Sequence, residues 1–192
     1  GTERIQGWLN VDVQISKGVT DVVADIAHGL PVKSASAVFC EHVLEHLKFD
    51  DAIAFLASCR EVLVAEGWLR ISTPNLDWVW KSHYSLLRNR DDKALSAVNL
   101  NRAFRAWGHQ FLWNRELLEI VLDSCGFTDV RYCKYGQSSL PEFRGIERHE
   151  KYEDLEGLDH VLVCEAQRGE PNPDGLRWLR EMAVEHFLRH LE

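Results

Sequence analysis

No long basic run occurs anywhere in the 192 residues, and the net charge is −8. A nucleic-acid partner needs a basic footprint to neutralise phosphates, so none is expected. No apolar run approaches the roughly 18 residues that cross a bilayer, so no membrane span is expected, and no signal peptide is visible. No C-x-x-C pair exists among the five cysteines, Cys40, Cys59, Cys125, Cys133 and Cys164. Their odd number and their mostly apolar neighbours suit buried, reduced thiols of a cytoplasmic protein better than a disulfide framework. Internal repeats and low-complexity tracts are missing too. So is an initiating methionine, because the chain opens on Gly1, and further residues are expected ahead of it in the natural protein. What is present is 45% hydrophobic and 27% charged, the balance and length of one domain with a sizeable core.

The pattern is organised around Ser34 to His46, SASAVFCEHVLEH. Ala37 to Cys40 is a short apolar run that reads as a buried strand. It stops at Glu41-His42, and Val43 to Leu47 then reads as a helical turn. Upstream, Trp8 to Val13 and Asp21 to Ile26 read as strands ending near Asp12 and Asp25. Three strand ends in about forty residues thus point acids toward one edge. In an open parallel sheet, that edge is where ligands bind.

Downstream, Asp50 or Asp51 is the expected cap of a helix whose stripe is Ile53, Leu56, Ala57, Arg60, Leu63 and Val64. Gly67 is expected to end it in the left-handed conformation, before a strand at 68–72. Strand, helix, glycine and strand form a βαβ unit, hence a parallel sheet. Residues 75–112 interrupt the rhythm with Trp78, Trp80, Tyr84, Phe104, Trp107 and Phe111 and with basic Arg88, Arg90, Lys93, Arg102 and Arg105. They read as an insertion that caps a substrate site, or as a helical excursion with its aromatics packed inward. Asn114 caps the next helix, with Trp113 placed to staple against Leu118, and Gly126 ends it. Strands at 127–133 and 160–166 flank a polar loop at 134–157 and read as an antiparallel pair. A linker at 169–173 leads to an amphipathic helix over 174–192, capped by Asp174.

His42-Val43-Leu44-Glu45-His46 is also an H-x-x-E-H match. On a continuous helix its histidines would share a face and hold zinc, with the glutamate as general base of a metallopeptidase. That chemistry needs a third ligand, such as Glu116 or Glu119. The strand abutting His42 places it at the start of a helix rather than within one, which argues against the motif. A third alternative is a non-catalytic α/β interaction module whose terminal helix pairs with another chain, for instance in a homodimer.

Several segments together carry a more specific pattern. They are Gly7-Trp8-Leu9-Asn10-Val11-Asp12, Asp21-Val22-Val23-Ala24-Asp25, Val38 to Leu47, Cys59-Arg60-Glu61-Val62-Leu63, Gly67 to Pro74, and Cys125-Gly126-Phe127. In order and spacing they resemble a class I S-adenosylmethionine-dependent methyltransferase of the type 11 kind over about residues 1–168. The resemblance implies a Rossmann-like α/β sheet in the order 3-2-1-4-5-7-6, with strand 7 antiparallel. It implies S-adenosyl-L-methionine as cofactor and a small-molecule or glycan-type methyl acceptor. Asp12, at the end of the family's second strand, would bind the ribose hydroxyls, with Val13 beside it. Asp25 would accept from the adenine amino group, Ile26 would lie near the adenine ring, and Cys40 and Glu41 would sit under the methionine moiety. The family's first strand and its glycine-rich loop have no counterpart except Gly1, which matches the last glycine of that loop. The chain therefore reads as an N-terminally trimmed member. Methyl transfer needs a base only when the acceptor is a hydroxyl, and His42, His46 and His109 are the candidates.

Overall fold

The computed structural model describes residues 3–85, 90–149 and 152–191. Gly1 and Arg88 lie outside these residues. The sheet comes in two pieces. Strands β1 (Val11–Asp12) and β2 (Val22–Val23) form a parallel ribbon. Strands β3 (Ala35–Glu41), β4 (Leu63–Pro74), β5 (Phe127–Tyr132) and β6 (Val161–Arg168) form a four-stranded sheet in the order β3-β4-β6-β5. β3 and β4 run parallel, and β6 is antiparallel to both its neighbours. This is the 4-5-7-6 half of the expected order, with the ribbon standing as strands 2 and 3. Among the described residues no strand lies between β1 and β3. A groove of about 630 Å³ runs there instead, walled by Gly7, Trp8, Leu9 and Val11 on one side and Ser34 to Cys40 on the other.

Among the described residues the α-helices are α1 (Phe49–Val62), α2 (Leu76–Trp80), α3 (Arg90–Arg105), α4 (Arg115–Ser124) and α5 (Pro173–His186). α1, α4 and α5 cover one face of the four-stranded sheet. Leu56, Leu118, Val121, Leu122, Leu179 and Ala183 from these helices share one core with Leu69 and Ile71 of β4 and Cys164 and Ala166 of β6. The terminal helix therefore lays its apolar stripe on its own domain. The 169–173 segment is tied down as well, because Arg60 donates twice to the Gly169 carbonyl, at 3.1 and 2.8 Å.

Several local expectations are corrected. The first two strands shrink to two residues each, and after the second Asp25 caps a 3₁₀ turn at Ile26–His28 instead of ending a strand. Lys48, not an aspartate, is the cap residue of α1, and Asp50 and Asp51 sit in its first turn, where they complement the helix dipole. α1 ends at Val62 because β4 already begins at Leu63 and bulges before Trp68. The left-handed residue there is Glu66, at φ 62°. Gly67 serves a different purpose: a Cβ on it would lie 2.9 Å from the Val64 carbonyl oxygen. Asn172, rather than Asp174, caps α5 by accepting from the Gly175 amide.

Successive strand residues face opposite sides, so Arg70 and its cross-strand partner Glu165 point away from the helices. There the loop expected at 134–157 folds back over the sheet, with Phe143 fully buried. Arg70 donates to Glu147 (Nε–Oε1, 2.6 Å) and to Glu165 (Nη1–Oε1, 2.5 Å), and all three side chains are fully buried. Ser138 adds a bond to Glu165 (2.6 Å) and the Gly136 amide one to Glu147 (3.2 Å). Removing one partner of such a group strands the others in a low dielectric. Arg70→Met is expected to cost about 3–5 kcal/mol of folding stability, read as a lower urea midpoint at pH 7.

Candidate active site

Glu41 is the last residue of β3, and the chain breaks sharply after it. The His42 amide donates to the Ser72 carbonyl (2.9 Å), and His42 itself adopts φ 49°. That left-handed conformation is unusual for a non-glycine residue. A single 3₁₀ turn at Leu44–His46 follows. The H-x-x-E-H segment is thus not one helix, and its histidines play different parts. His42 Nδ1 donates to Glu45 Oε1 (2.8 Å), and Thr73 Oγ1 donates to Glu45 Oε2 (3.1 Å). Glu45 is fully buried. Burial pushes its carboxyl up, but the hydrogen bond and charge of His42 outweigh this and hold it below the ordinary carboxylate value. The Glu45 carbonyl accepts from the amides of Gln110 (2.7 Å) and Phe111 (3.2 Å). Those bonds pin the end of the 75–112 segment to the turn after β3.

A cavity of about 500 Å³ opens between these elements, lined by His42, His46, His83, His109, His149 and His160 together with Trp78, Trp107 and Tyr152. Six of the nine histidines of the chain thus converge on one space. All three expected catalytic residues, His42, His46 and His109, are among them. The rings of His46 and His109 are 5.1 Å apart and those of His42 and His149 are 4.6 Å apart. The other three come from separate places: His83 follows α2, His149 ends the loop over the sheet, and His160 precedes β6. No motif in the sequence joins them. Trp78 packs against both His83 and His160, at 5.7 and 4.4 Å between ring centres, so the 75–112 segment forms one wall.

A second cavity of about 350 Å³ lies at the carboxyl ends of β1 and β3, lined by Trp8, Val11, Asp12, Phe39, Cys40, Glu41 and His149 among others. Of the residues expected to hold a cofactor, it gathers Asp12, Cys40 and Glu41. Asp12 accepts the Gln14 amide on one oxygen (2.9 Å). Cys40 is buried, and burial pushes its thiol well above the ordinary value, so it acts as an apolar wall. Glu41 accepts the amides of Arg148 (2.9 Å) and His149 (3.1 Å), which fastens the loop over the sheet to the end of β3. Val13 points largely to solvent. Asp25 is spent on its own turn, accepting from the Ala27 amide (3.1 Å) and pairing with His28 (3.2 Å). Ile26 packs on the core and lines the groove between the two sheet pieces. Glu116 and Glu119, on α4, do not join Glu45 and the histidines in any cluster of ligand atoms among the described residues.

No family model matches the chain, and no curated protein does. Solved structures do. A SAM-dependent methyltransferase from Archaeoglobus fulgidus superposes at a TM-score of 0.53 with 15% identity, over 83% of this chain and 75% of that one. A possible exported protein from Bordetella parapertussis matches at 0.48 with 13% identity over 77% of this chain, and human N-acetylserotonin methyltransferase in complex with SAM at 0.44 with 14% identity over 82%. The chain spans only 43% and 36% of the lengths of those two proteins. At such identities the likeness concerns the fold, which is a Rossmann-like α/β sheet of the kind the archaeal methyltransferase has.

Two predictions follow from this geometry. Hydrogen bonds to a charged acceptor are worth about 1.5–3 kcal/mol, so Glu41→Ala is expected to speed hydrogen exchange of the Arg148 and His149 amides by roughly 10- to 100-fold, measured by exchange mass spectrometry. Burial, then the nearby Arg102 charge, lowers the His83 pKa below its ordinary 6.5. A histidine depressed on folding contributes stability above its unfolded pKa and loses it as pH falls through the folded one. Imidazole NMR titration is expected to place the His83 midpoint below 6.5, and Arg102→Gln to move it upward.

Proposed function

We propose that this chain is a class I S-adenosylmethionine-dependent methyltransferase. The donor occupies the cavity beside Asp12, and a small-molecule or glycan-type acceptor occupies the histidine-lined cavity. The observation that carries this reading is the shared wall. His149 lines both cavities, and consecutive residues leaving β3 divide between them, Cys40 and Glu41 on one side and His42 on the other. Two ligands held there face each other across the end of one strand, the arrangement that transfer between bound partners requires.

The residues present fit the donor. A carboxylate such as that of Asp12 can accept from vicinal ribose hydroxyls, and Trp8, Val11, Phe39 and Cys40 supply an apolar surround. The donor brings a methyl already activated on sulfonium. The protein's part is to orient the acceptor, exclude water and receive a proton. Buried Trp78 supplies an apolar wall, and Trp107 and Tyr152 line the rim. A neutral imidazole of His42, His46 or His109 takes the proton of a hydroxyl acceptor as its oxygen lone pair forms the new bond to carbon. The reading includes a strand in the groove between β1 and β3. Such a strand would pair the facing edges of the two sheet pieces and complete the sheet order. The burial of Cys40, Cys59, Cys125 and Cys164 suits reduced thiols and the cytoplasmic setting this reading includes.

Isothermal titration with S-adenosylmethionine, and separately with its demethylated product, tests the donor site. One-to-one binding is expected, weakened at least about tenfold by Asp12→Ala, since charge-assisted bonds to the ribose are lost. Absence of binding by both compounds to folded protein refutes the reading.

A further inference from the structure

We propose that Glu45, His46 and His109 form a binding site for a divalent transition metal of the zinc class in the wall of the histidine-lined cavity. The three offer ligand atoms that all lie within 4.8 Å of one another. Tetrahedral zinc with bonds of about 2.0–2.2 Å holds its ligand atoms roughly 3.3–3.6 Å apart, so rotation of side chains closes the remaining gap. Two imidazoles and one carboxylate are a borderline donor set that suits zinc and disfavours magnesium or calcium, which prefer all-oxygen shells. With three protein ligands, a fourth position stays open. His46 is exposed and lines the cavity, so that position faces the bound acceptor.

Four further features support the site. First, the ligands are oriented from behind, as metal ligands usually are. His109 Nδ1 lies 2.8 Å from the Ala103 carbonyl. A carbonyl only accepts, so Nδ1 carries the proton and Nε2 keeps its lone pair free for a cation. Glu45 is held through His42 and Thr73 on separate oxygens, each of which retains acceptor capacity. Second, the paired amide bonds from Gln110 and Phe111 to the Glu45 carbonyl bring residues 45–46 and 109 together in the backbone itself. Third, Glu45 is fully buried, and a cation there offsets a carboxylate charge that is otherwise costly to bury. Fourth, His46 makes no side-chain hydrogen bond among the described residues, so its ring nitrogens are free to ligate.

The H-x-x-E-H segment is thereby redistributed. Glu45 and His46 become ligands, His42 becomes the residue that orients Glu45, and the third ligand arrives from the far end of the 75–112 segment. Resting on the methyltransferase reading, the ion's role is to bind an acceptor oxygen and lower its pKa. With the lone pairs of His46 and His109 taken by the ion, His42 is the one of the three candidate bases left outside the metal shell to receive the acceptor's proton. The existence of the metal site does not depend on that role.

The chelator-treated protein is titrated with Zn²⁺ by calorimetry and with Co²⁺ by visible absorption, with no methyl donor present. One equivalent is expected to bind, with cobalt showing the intense visible bands of a low-coordinate nitrogen–oxygen site. His46→Ala and His109→Ala are each expected to weaken zinc at least tenfold with unchanged circular dichroism; His46 is exposed, so its removal leaves the core intact. His28→Ala, at the surface pair with Asp25, is expected to change nothing. No stoichiometric binding overturns the proposal. So does binding that survives both ligand substitutions, or that depends on His149 rather than on His46 and His109. Donor affinity is measured on the same samples: lost donor binding with intact zinc binding refutes the methyltransferase reading alone, and the reverse refutes the metal site alone.

Discussion

The buried charge group around Arg70 is the constraint on which the rest of the molecule depends. One guanidinium at the centre of β4 binds two glutamates, one from the neighbouring strand and one from a loop that is otherwise polar. A sheet face with a charge at its middle cannot be covered by a simple apolar helix. It is covered here by the 136–149 segment, which brings Glu147, Ser138 and the Gly136 amide as partners and Phe143 as a lid. Desolvating three charged groups is costly unless each is well bonded. Only a closely defined loop path brings all these partners to Arg70 and Glu165, and that path fixes where the loop emerges.

It emerges at the site. Arg148 and His149 follow Glu147 directly, and their amides dock on Glu41 at the end of β3. His149 thereby becomes the partition between the two cavities. On the other side, the bonds of Gln110 and Phe111 to Glu45 place His109 against His46. Both chain segments that complete the site are thus anchored by backbone amides to acceptors within five residues, Glu41 to Glu45. The left-handed His42 between them turns the chain from one cavity to the other.

Much of this was legible in the amino-acid pattern. The apolar run ending at Cys40, the α1 stripe as far as Arg60 and the Gly126 stop all carry local periodicity or turn chemistry, and the structure places these elements where they are read, with Leu63 and Val64 falling in β4 instead. His42, His46 and His109, each read as a candidate base, line one cavity. The strands before β3 are shorter than their pattern implies, because neither the alternation at 8–13 nor the apolar run at 21–26 reveals that Asp25 caps a turn or that only two residues in each find ladder partners. His83, His149 and His160 were illegible for a different reason. Each is a lone imidazole in its own segment, and only the loop path set by Arg70 and the packing of Trp78 bring them together. Buried Arg70, Glu147 and Glu165 likewise look like solvated charges until the strands pair them.

The gap between the β1–β2 ribbon and β3 has a consequence for the solution behaviour of the chain. β3 is seven residues long, and on its side away from β4 it meets no strand among the described residues. An unpaired strand edge is a template for another chain, and Ala37 to Cys40 carries no charge to repel one. Unless that edge is occupied, self-association by edge-to-edge addition should grow with protein concentration, and solubility rather than folding sets how concentrated the protein can become.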